Sequence, residues 1–325
     1  RDDNVPEFFN LIQDFDENII DDLYAPPQDK TDIATISDCD PYPKKVLQEA
    51  LAAKHRVEFG SFIPINHYSC TIDNKLLIWP MEKPDSTDSS QPNDRTSDII
   101  TLEEKCELIT CVSCGPTDQQ IFSKKATHII VVASNRSIVI YPVLLENNIV
   151  IQFPIRTSLR MCIVTSIAIS DQSKIFLGSD TGDIYLVSYR KSQYNMEELV
   201  IDIKNLTQYP IISFFQRLFP FTYPNITQLS LCTLPDNSDN TNNPGGTSSS
   251  KNSIYIASLD TNSRIIFYHF TSKGKNYSLR EISRFPIKKK KQKKFEKIVK
   301  VVAVPISDSR TTRFIAFTLN SDRLF

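Results

Sequence analysis

Alternating apolar and polar residues dominate the chain from about residue 69 onward, and they follow one repeated plan. Five segments each contain an alternating strand, a turn of Asp, Asn, Ser, Thr or Gly, and a second strand that bears an aromatic residue. Alternation with a period of two predicts β-strands, and the turn residues predict hairpins. The segments are SCTIDNKLLIW, HIIVVASNRSIVIY, KIFLGSDTGDIYLVSY, SIYIASLDTNSRIIFYHF and RFIAFTLNSDRLF.

Five repeated hairpins predict an all-β fold, an irregular β-propeller over residues 43–325, with a β-sandwich as the alternative. The spacing of the closing aromatic residues is uneven and fits blades with inserted loops. Two Ser- and Asn-rich stretches, 82–98 and 235–253, predict such loops. Because the fifth hairpin ends in mid-strand, we expect the propeller to continue beyond this chain. The closing aromatic residues are Trp79, Tyr141, Tyr189, Tyr268 and Phe325.

In the first part of the chain, apolar residues recur with the spacing of a helix. Residues 1–42 predict an acidic arm with a short helix, since residues 1–40 contain twelve acidic and two basic side chains and several apolar residues at helical spacing. Residues 43–55 predict a second amphipathic helix with Pro43 in its first turn. Its expected apolar face contains Val46, Leu47, Ala50 and Leu51.

Composition points to a folded intracellular protein. Hydrophobic residues make up 40% of the 325 residues and charged residues 23%, which is typical of a globular chain. The first residues, RDDNVPEFFN, lack a basic start followed by an apolar run, so they do not predict a secretory signal. The seven cysteines are odd in number and scattered, so we expect reduced thiols rather than a disulfide framework.

Motifs for catalysis, cofactors and metals are missing or have structural explanations. No phosphate-binding glycine motif occurs. The GSDTG sequence at 178–182 resembles a catalytic Asp-Thr-Gly turn but lies between two predicted strands, which favours a hairpin loop. The CVSC pair, Cys111 and Cys114, has zinc-knuckle spacing without a second ligand pair, and positions three apart on a strand face opposite sides. The four histidines are isolated. We therefore expect no enzyme activity and no cofactor.

One apolar stretch does not follow the strand pattern. Residues 209–221, YPIISFFQRLFPF, would form a helix that begins at Pro210 and ends before Pro220. About ten residues are too few to span a bilayer. Burying its apolar face would contribute roughly 7 to 15 kcal/mol, so the face must meet the protein's own core, a membrane surface or a partner groove. The face comprises Ile211, Phe214, Phe215, Leu218 and Phe219, with Arg217 on the opposite side.

A run of six lysines within seven residues, KKKKQKK, is the second candidate for a site. It is typical either of a solvated loop or of a basic site for anionic lipid, nuclear import or nucleic acid. Nucleic-acid sites normally combine lysine with aromatic residues or Arg, and only Phe295 adjoins this run. Lipid or import is therefore favoured. The lysines are Lys288, Lys289, Lys290, Lys291, Lys293 and Lys294.

The order of these segments resembles the amino-terminal region of the nucleoporin 155/157/170 family. The resemblance covers residues 43–325, and its most specific parts are the run FIPINHYSCTIDNKLLIW, which ends at Trp79, and the apolar stretch before Ile226. It implies an irregular seven-bladed propeller that precedes an α-solenoid, in a non-enzymatic scaffold protein of the inner ring of the nuclear pore complex. It also implies that residues 211–221 touch the pore membrane. The richness in Asn and Lys points to a fungal member.

We therefore expect a propeller at the nuclear envelope that contacts the pore membrane through the helix at 211–219, with Arg217 and the lysine run as electrostatic support. Other scaffold nucleoporins are the expected partners, and neither a small-molecule substrate nor nucleic acid is expected. The alternative is an adaptor that does not bind membranes and whose same apolar face fills a groove on a partner protein.

Overall fold

The computed structural model describes residues 43–81, 99–104, 107–118, 121–122, 125–145, 149–151, 154–159, 162–191, 199–207, 224–235, 252–273, 276–285, 297–305, 312–320 and 323–324. The acidic arm, the apolar stretch 209–221 and the lysine run 288–294 lie outside these residues. The fold below is therefore that of the strands and of the turns between them.

The described residues form one short helix, one 3₁₀ turn and five antiparallel sheets. The helix is α1 (Lys44–Leu51), and the 3₁₀ turn is Ile63–Ile65. Sheet 1 contains β1 (Val57–Phe62), β2 (His67–Ile72), β3 (Lys75–Pro80) and β4 (Ile100–Glu103). Sheet 2 contains β5 (Ile109–Pro116), β6 (Ala126–Ser134), β7 (Ser137–Leu145), β8 (Ile149–Ile151) and β9 (Ile155–Ser158).

Sheets 3 to 5 follow the same plan. Sheet 3 contains β10 (Val164–Ile169), β11 (Ile175–Ser179), β12 (Ile184–Lys191) and β13 (Leu199–Asn205). Sheet 4 contains β14 (Ile226–Pro235), β15 (Asn252–Asp260), β16 (Ile265–Lys273) and β17 (Asn276–Phe285). Sheet 5 contains β18 (Lys297–Pro305), β19 (Thr312–Asn320) and β20 (Arg323–Leu324).

Every sheet is an antiparallel meander in which sequence neighbours pair. In sheet 2 the fourth strand is interrupted, since β8 and β9 both pair with β7. The first strands of consecutive sheets, β5, β10, β14 and β18, lie side by side. Sheets joined in this way radiate from a common axis, which is the arrangement of a β-propeller. The predicted fold class is confirmed, and each predicted hairpin is the second and third strand of one blade.

Both faces of the inner blades are buried, which explains why their strands are almost wholly apolar. On β6, Ile129 and Val131 pack between sheets 2 and 3, whereas Ile130 and Val132 pack between sheets 1 and 2. Successive side chains of a strand point to opposite faces, so a strand covered on both sides needs an apolar residue at every position. Each hydrophobic cluster therefore fills the gap between two neighbouring blades.

Neighbouring first strands are also joined by bonds from side chains to the backbone. The Ser166 hydroxyl of β10 accepts the Leu229 amide N–H of β14 at 2.8 Å. Between β14 and β18, the Gln228 side chain accepts the Val301 amide N–H at 2.8 Å and donates to the Val301 carbonyl at 2.9 Å. These polar groups replace the backbone ladder that would join strands within one sheet.

Glycine allows the blades to approach closely at two points. A Cβ atom at Gly178 of β11 would lie 2.6 Å from Ile226 Cγ2 in the next blade, and one at Gly115 of β5 would lie 2.6 Å from Ile169 Cγ2. Both distances are far below carbon–carbon contact. The first glycine of the GSDTG sequence therefore serves blade packing, while Gly182 has the positive φ of 80° that the hairpin turn requires.

Helix α1 differs from its prediction in two respects. Pro43 is the residue that precedes the first helical residue, with ψ of 134°, instead of lying within the first turn. Val46 is buried against Cys70, Leu77 and Trp79 of sheet 1, together with Ala50. Leu47 and Leu51, expected on the same apolar face, are 40% and 88% exposed. The helix contacts the sheet along a stripe too narrow to include them.

The meander sorts the connections onto two faces of the propeller. The first strand of every sheet begins at one face, which we call the upper face. The turn that connects the second strand to the third also lies at the upper face. The connection from each blade to the next lies at the upper face too. The turns from first to second and from third to fourth strands lie at the lower face. The predicted loops 82–98 and 235–253 join β3 to β4 and β14 to β15, so both connect strands at the lower face.

A buried carboxylate connects sheets 1 and 2. Glu104 follows β4 and is 1% exposed. It accepts a hydrogen bond from the Tyr141 hydroxyl at 2.7 Å and pairs with the Arg156 guanidinium. Burial, together with the hydrogen bond to Glu104, raises the pKa of Tyr141. The Glu104 carboxylate thus provides the hydrogen-bond acceptor for Tyr141 and the opposite charge for Arg156, at the point where the chain passes from the first blade to the second.

We predict that Gly178→Ala destabilises the propeller by about 1–3 kcal/mol, because the added methyl group overlaps a buried Ile226 side chain. Gly60→Ala is the matched control, since its methyl group would meet only the Ser69 hydroxyl oxygen, at 3.1 Å, and that hydroxyl can rotate away. Urea denaturation followed by circular dichroism measures both. An equal loss in the two variants would contradict the proposed role of Gly178 in blade packing.

A second prediction concerns Glu104. Glu104→Ala should lower the free energy of unfolding by about 2–4 kcal/mol, because it leaves the Tyr141 hydroxyl without its acceptor and Arg156 without its partner. The control is Asp202→Ala, which breaks the exposed pair with Arg190 and should cost at most about 0.5–1 kcal/mol. Chemical denaturation at pH 7 compares them, and a Glu104→Ala cost as small as the control's would be the contrary result.

Candidate functional site

The upper face is held together by one hydrogen bond that recurs in four blades. In each, the turn between the second and third strands donates an amide N–H to the carbonyl of the residue that precedes or leads into the first strand. The pairs are Asp73 to Arg56 at 3.0 Å, Asn135 to Leu108 at 3.2 Å, Asp180 to Ile163 at 3.0 Å and Thr261 to Asn225 at 2.9 Å. At the upper face, these bonds hold each turn against the residue at which the chain enters the same blade.

Asp73 fixes the segment that leads into the first blade. Its carboxylate accepts the amide N–H groups of Lys54, His55 and Arg56 at 2.8–2.9 Å. These bonds, the one from Lys54 first, lower the pKa of Asp73 because they stabilise the charged form. The Arg56 backbone is thereby held at the upper face.

Three threonines occupy equivalent positions at this face. Each is the second residue of a first strand, where the register with the second strand shifts, so each lies at a β-bulge. Each hydroxyl donates to a carbonyl of the second strand of its own blade: Thr110 to Ala133 at 3.2 Å, Thr165 to Gly178 at 3.1 Å and Thr227 to Leu259 at 3.1 Å. The sequence analysis missed these residues, although the apolar–Thr pair that opens all three strands was a detectable signal.

The threonines line a cavity of about 310 Å³ at the upper end of the propeller axis. The described residues that line it come from four successive blades, and none of them is acidic, a histidine or a cysteine. It has an apolar part and a polar rim. The lining residues are Arg56, Thr110, Ile163, Val164, Thr165, Asn225, Ile226, Thr227 and Thr261.

The predicted apolar helix at 211–219 lies outside the described residues, but both of its attachment points are described. The chain leaves sheet 3 at Thr207, whose hydroxyl accepts the Ile184 amide N–H at 3.1 Å and donates to the Asp183 carboxylate at 2.9 Å. It enters sheet 4 at Pro224, next to the cavity residue Asn225. Residues 208–223 therefore connect two blades at the upper face.

The lysine run has the same kind of attachment. Residues 286–296 join β17 to β18, which makes them the next connection between blades at the upper face. None of Lys288, Lys289, Lys290, Lys291, Lys293 and Lys294 is among the described residues. The topology thus assigns the ends of both predicted site segments to one face and to consecutive blade connections.

The other sequence candidates have structural roles. Cys111 and Cys114 lie on β5, where Cys111 packs between sheets 2 and 3 and Cys114 between sheets 1 and 2, as their spacing predicts. Burial raises the pKa of both thiols to about 12. Residues 180–183 form the turn between β11 and β12, as predicted. The described residues contain no cluster of side chains that could hold a metal ion.

The histidines also have local explanations. His67 lies with its Nδ1 atom 2.7 Å from the Ile65 carbonyl, and His269 stacks on Tyr255 at 4.9 Å between ring centroids. His55 donates its amide N–H to Asp73, and burial lowers the pKa of His128. In the part of the chain that the structure describes, no helix is long and apolar enough to cross a membrane.

A known protein and a solved structure resemble this chain. Nucleoporin NUP170 of Chaetomium thermophilum is 30% identical over 98 residues, which cover 30% of this chain and 6% of that protein. The crystal structure of the C. thermophilum Nup170 NTD–Nup53 complex superimposes with a TM-score of 0.57 at 19% identity, over 85% of this chain and 36% of that one. The chain thus spans only a small part of its curated relative.

The fold defines the chain as a β-propeller. The nucleoporin family described as Nup133 N-terminal-like matches residues 29–325, and the chain belongs to this family. It is a nucleoporin related to Nup170, as the sequence resemblance predicted, and its place is the nuclear pore complex in the nuclear envelope. Homology to the N-terminal domain of these nucleoporins supports a role in the pore scaffold.

We predict a pH dependence that identifies the role of Asp73. A folded-state pKa below the ordinary value of about 3.9 means that the carboxylate stabilises the fold above pH 4, and that this contribution is lost as pH falls through the folded pKa. Asp73→Asn should therefore lower the melting temperature more at pH 7 than at pH 3. Asp171→Asn, at an exposed position of the lower face, is the control. An Asp73→Asn effect of the same size at both pH values would contradict the prediction.

Proposed function

We propose that this propeller is a non-enzymatic docking and membrane-contacting module of the nuclear pore scaffold, and that its upper face is turned towards the pore membrane. The observation that carries the proposal is topological. The apolar stretch and the lysine run, predicted independently from the sequence, occupy consecutive blade connections whose ends lie at the same face. The two Ser- and Asn-rich loops connect strands at the other face.

The proposed mechanism is geometric and electrostatic. Ile211, Phe214, Phe215, Leu218 and Phe219 form the apolar face of a helix that lies in the membrane surface and inserts about 5–10 Å into the headgroup boundary. Arg217 and the lysine run lie near anionic headgroups, and each lysine contributes about 1 kcal/mol of attraction. The attachment points at Thr207 and Asn225 transmit this contact to two blades.

Partner docking is the second part of the proposal. The related C. thermophilum Nup170 domain was solved in complex with Nup53, which supports other nucleoporins as partners of this chain. A propeller that joins scaffold partners to a membrane needs no catalytic groups. Residues 1–42 would then be a separate acidic arm ahead of the propeller.

Flotation with small anionic liposomes tests the membrane contact. We expect the wild-type chain to float and Phe214→Asp/Leu218→Asp to remain at the bottom of the gradient, because two charges on the apolar face oppose insertion. Gln216→Asp is the matched control, since it adds a charge to the polar face and should still float. Circular dichroism shows whether all three chains are folded.

The outcomes separate the alternatives. If the folded double variant floats as well as the wild type, the apolar face is not a membrane anchor. If neither chain floats but the double variant loses a nucleoporin partner, the adaptor function is correct and membrane contact is wrong. Replacing Lys289 and Lys291 with Glu should weaken flotation on anionic lipid and leave it unchanged on neutral lipid.

A further inference from the structure

The cavity at the upper end of the axis is not used by the proposed membrane contact. We infer that it is a binding site for a short extended peptide of a partner protein, in which an acidic side chain lies next to an apolar one. The argument below uses only the nine described residues that line the cavity.

The threonines supply hydrogen-bond acceptors. A threonine hydroxyl has one hydrogen and two lone pairs. Thr110 and Thr227 direct that hydrogen to carbonyl groups of their own blades, and Thr165 shares it between the Gly178 carbonyl of its own blade and the Ile226 carbonyl of the next blade. Each hydroxyl oxygen can therefore take part in a further hydrogen bond only as an acceptor. Backbone N–H groups of an extended chain are donors with a regular spacing, whereas a ligand that presents only acceptors finds no hydroxyl hydrogen there.

The apolar residues that line the cavity favour a ligand with an aliphatic side chain. Val164 and Ile226 are 0% and 4% exposed, while Ile163 remains 41% exposed beside them. An aliphatic side chain that covered Ile163 would remove apolar surface from water at about 25 cal/mol per Å². Ile163 is held in place because its amide N–H donates to the Asp180 carboxylate at 2.9 Å.

Arg56 supplies the charge preference. It is the one charged residue among the nine that line the cavity, and its backbone is fixed by Asp73. Its guanidinium pairs with Glu58, but both side chains are about half exposed, and such pairs are worth little. A carboxylate on the ligand can therefore compete for Arg56, which makes the site complementary to an acidic residue.

The size of the cavity limits how much of the ligand it can hold. A volume of about 310 Å³ is at the lower end of the range of about 300–1,000 Å³ that holds small ligands. The cavity therefore suits one anchoring apolar side chain and the backbone beside it, and the acceptors described above favour a backbone whose N–H groups are unpaired, as in an extended chain.

Selection from a phage library of random heptapeptides, with the purified chain as bait, tests the inference without a chosen ligand. We expect the enriched peptides to contain Asp or Glu beside Leu, Ile, Val or Phe. A fluorescein-labelled consensus peptide, measured by fluorescence anisotropy, should bind Arg56→Glu at least tenfold more weakly than wild type. Arg190→Glu is the matched control, because Arg190 is also exposed and paired with a carboxylate, Asp202, and should bind normally.

A second variant keeps the test decisive if Arg56→Glu disturbs the fold. Ile163→Ser removes the apolar contact without a charge change and should also weaken binding, with circular dichroism as the check of folding. Enrichment of basic peptides, binding that neither variant weakens, or no enrichment above background would overturn the inference. None of these results depends on liposome binding, so failure here and failure of the membrane proposal are distinguishable.

Discussion

The close approach of neighbouring blades at the axis is the constraint on which the rest of this structure depends. Without a side chain at Gly178, Ile226 can press against β11, and the first strands then come close enough for Ser166 and Gln228 to bond the backbone of the next blade. Contacts of this kind join sheets 2 and 3 at Gly115, sheets 3 and 4 at Gly178 and Ser166, and sheets 4 and 5 at Gln228. The apolar clusters between blades contribute the larger part of the stabilisation, since burial of apolar surface is the dominant favourable term in folding.

The same geometry determines what the two faces can present. A four-stranded meander returns the chain to the face at which it began, so every connection between blades lies at the upper face. Segments with very different chemistry, one apolar and one basic, can therefore act on the same surface although they are about seventy residues apart in the sequence. The bond from the Thr261 amide N–H to the Asn225 carbonyl fixes the point at which the chain enters sheet 4. The helix proposed at 211–219 would be attached to two adjacent blades, and this attachment would restrict its orientation.

The sequence predicted the hairpins because their signal is local, with alternation, turn residues and a closing aromatic within about fifteen residues. It predicted only two strands per blade, since the repeated plan of strand, turn and aromatic residue covers only the second and third strands. Leu47 and Leu51 were wrongly expected to be buried with Val46 and Ala50, because helical periodicity gives a face but not the width of the surface that covers it. The cavity could not be predicted, since Thr110, Thr165 and Thr227 meet only when three blades are assembled. The apolar–Thr pair that opens all three strands marks them as equivalent positions but does not show that they face a common cavity.

The orientation of the propeller on a membrane is the most direct test of this account. A fluorophore attached through a bioorthogonal side chain at position 262, in an exposed upper-face turn, would be compared with one at position 171, in an exposed lower-face turn. With anionic liposomes that carry a nitroxide on the lipid headgroup, we predict strong quenching at position 262 and little at position 171. Equal quenching at both positions, or stronger quenching at position 171, would contradict the assignment of the upper face to the membrane.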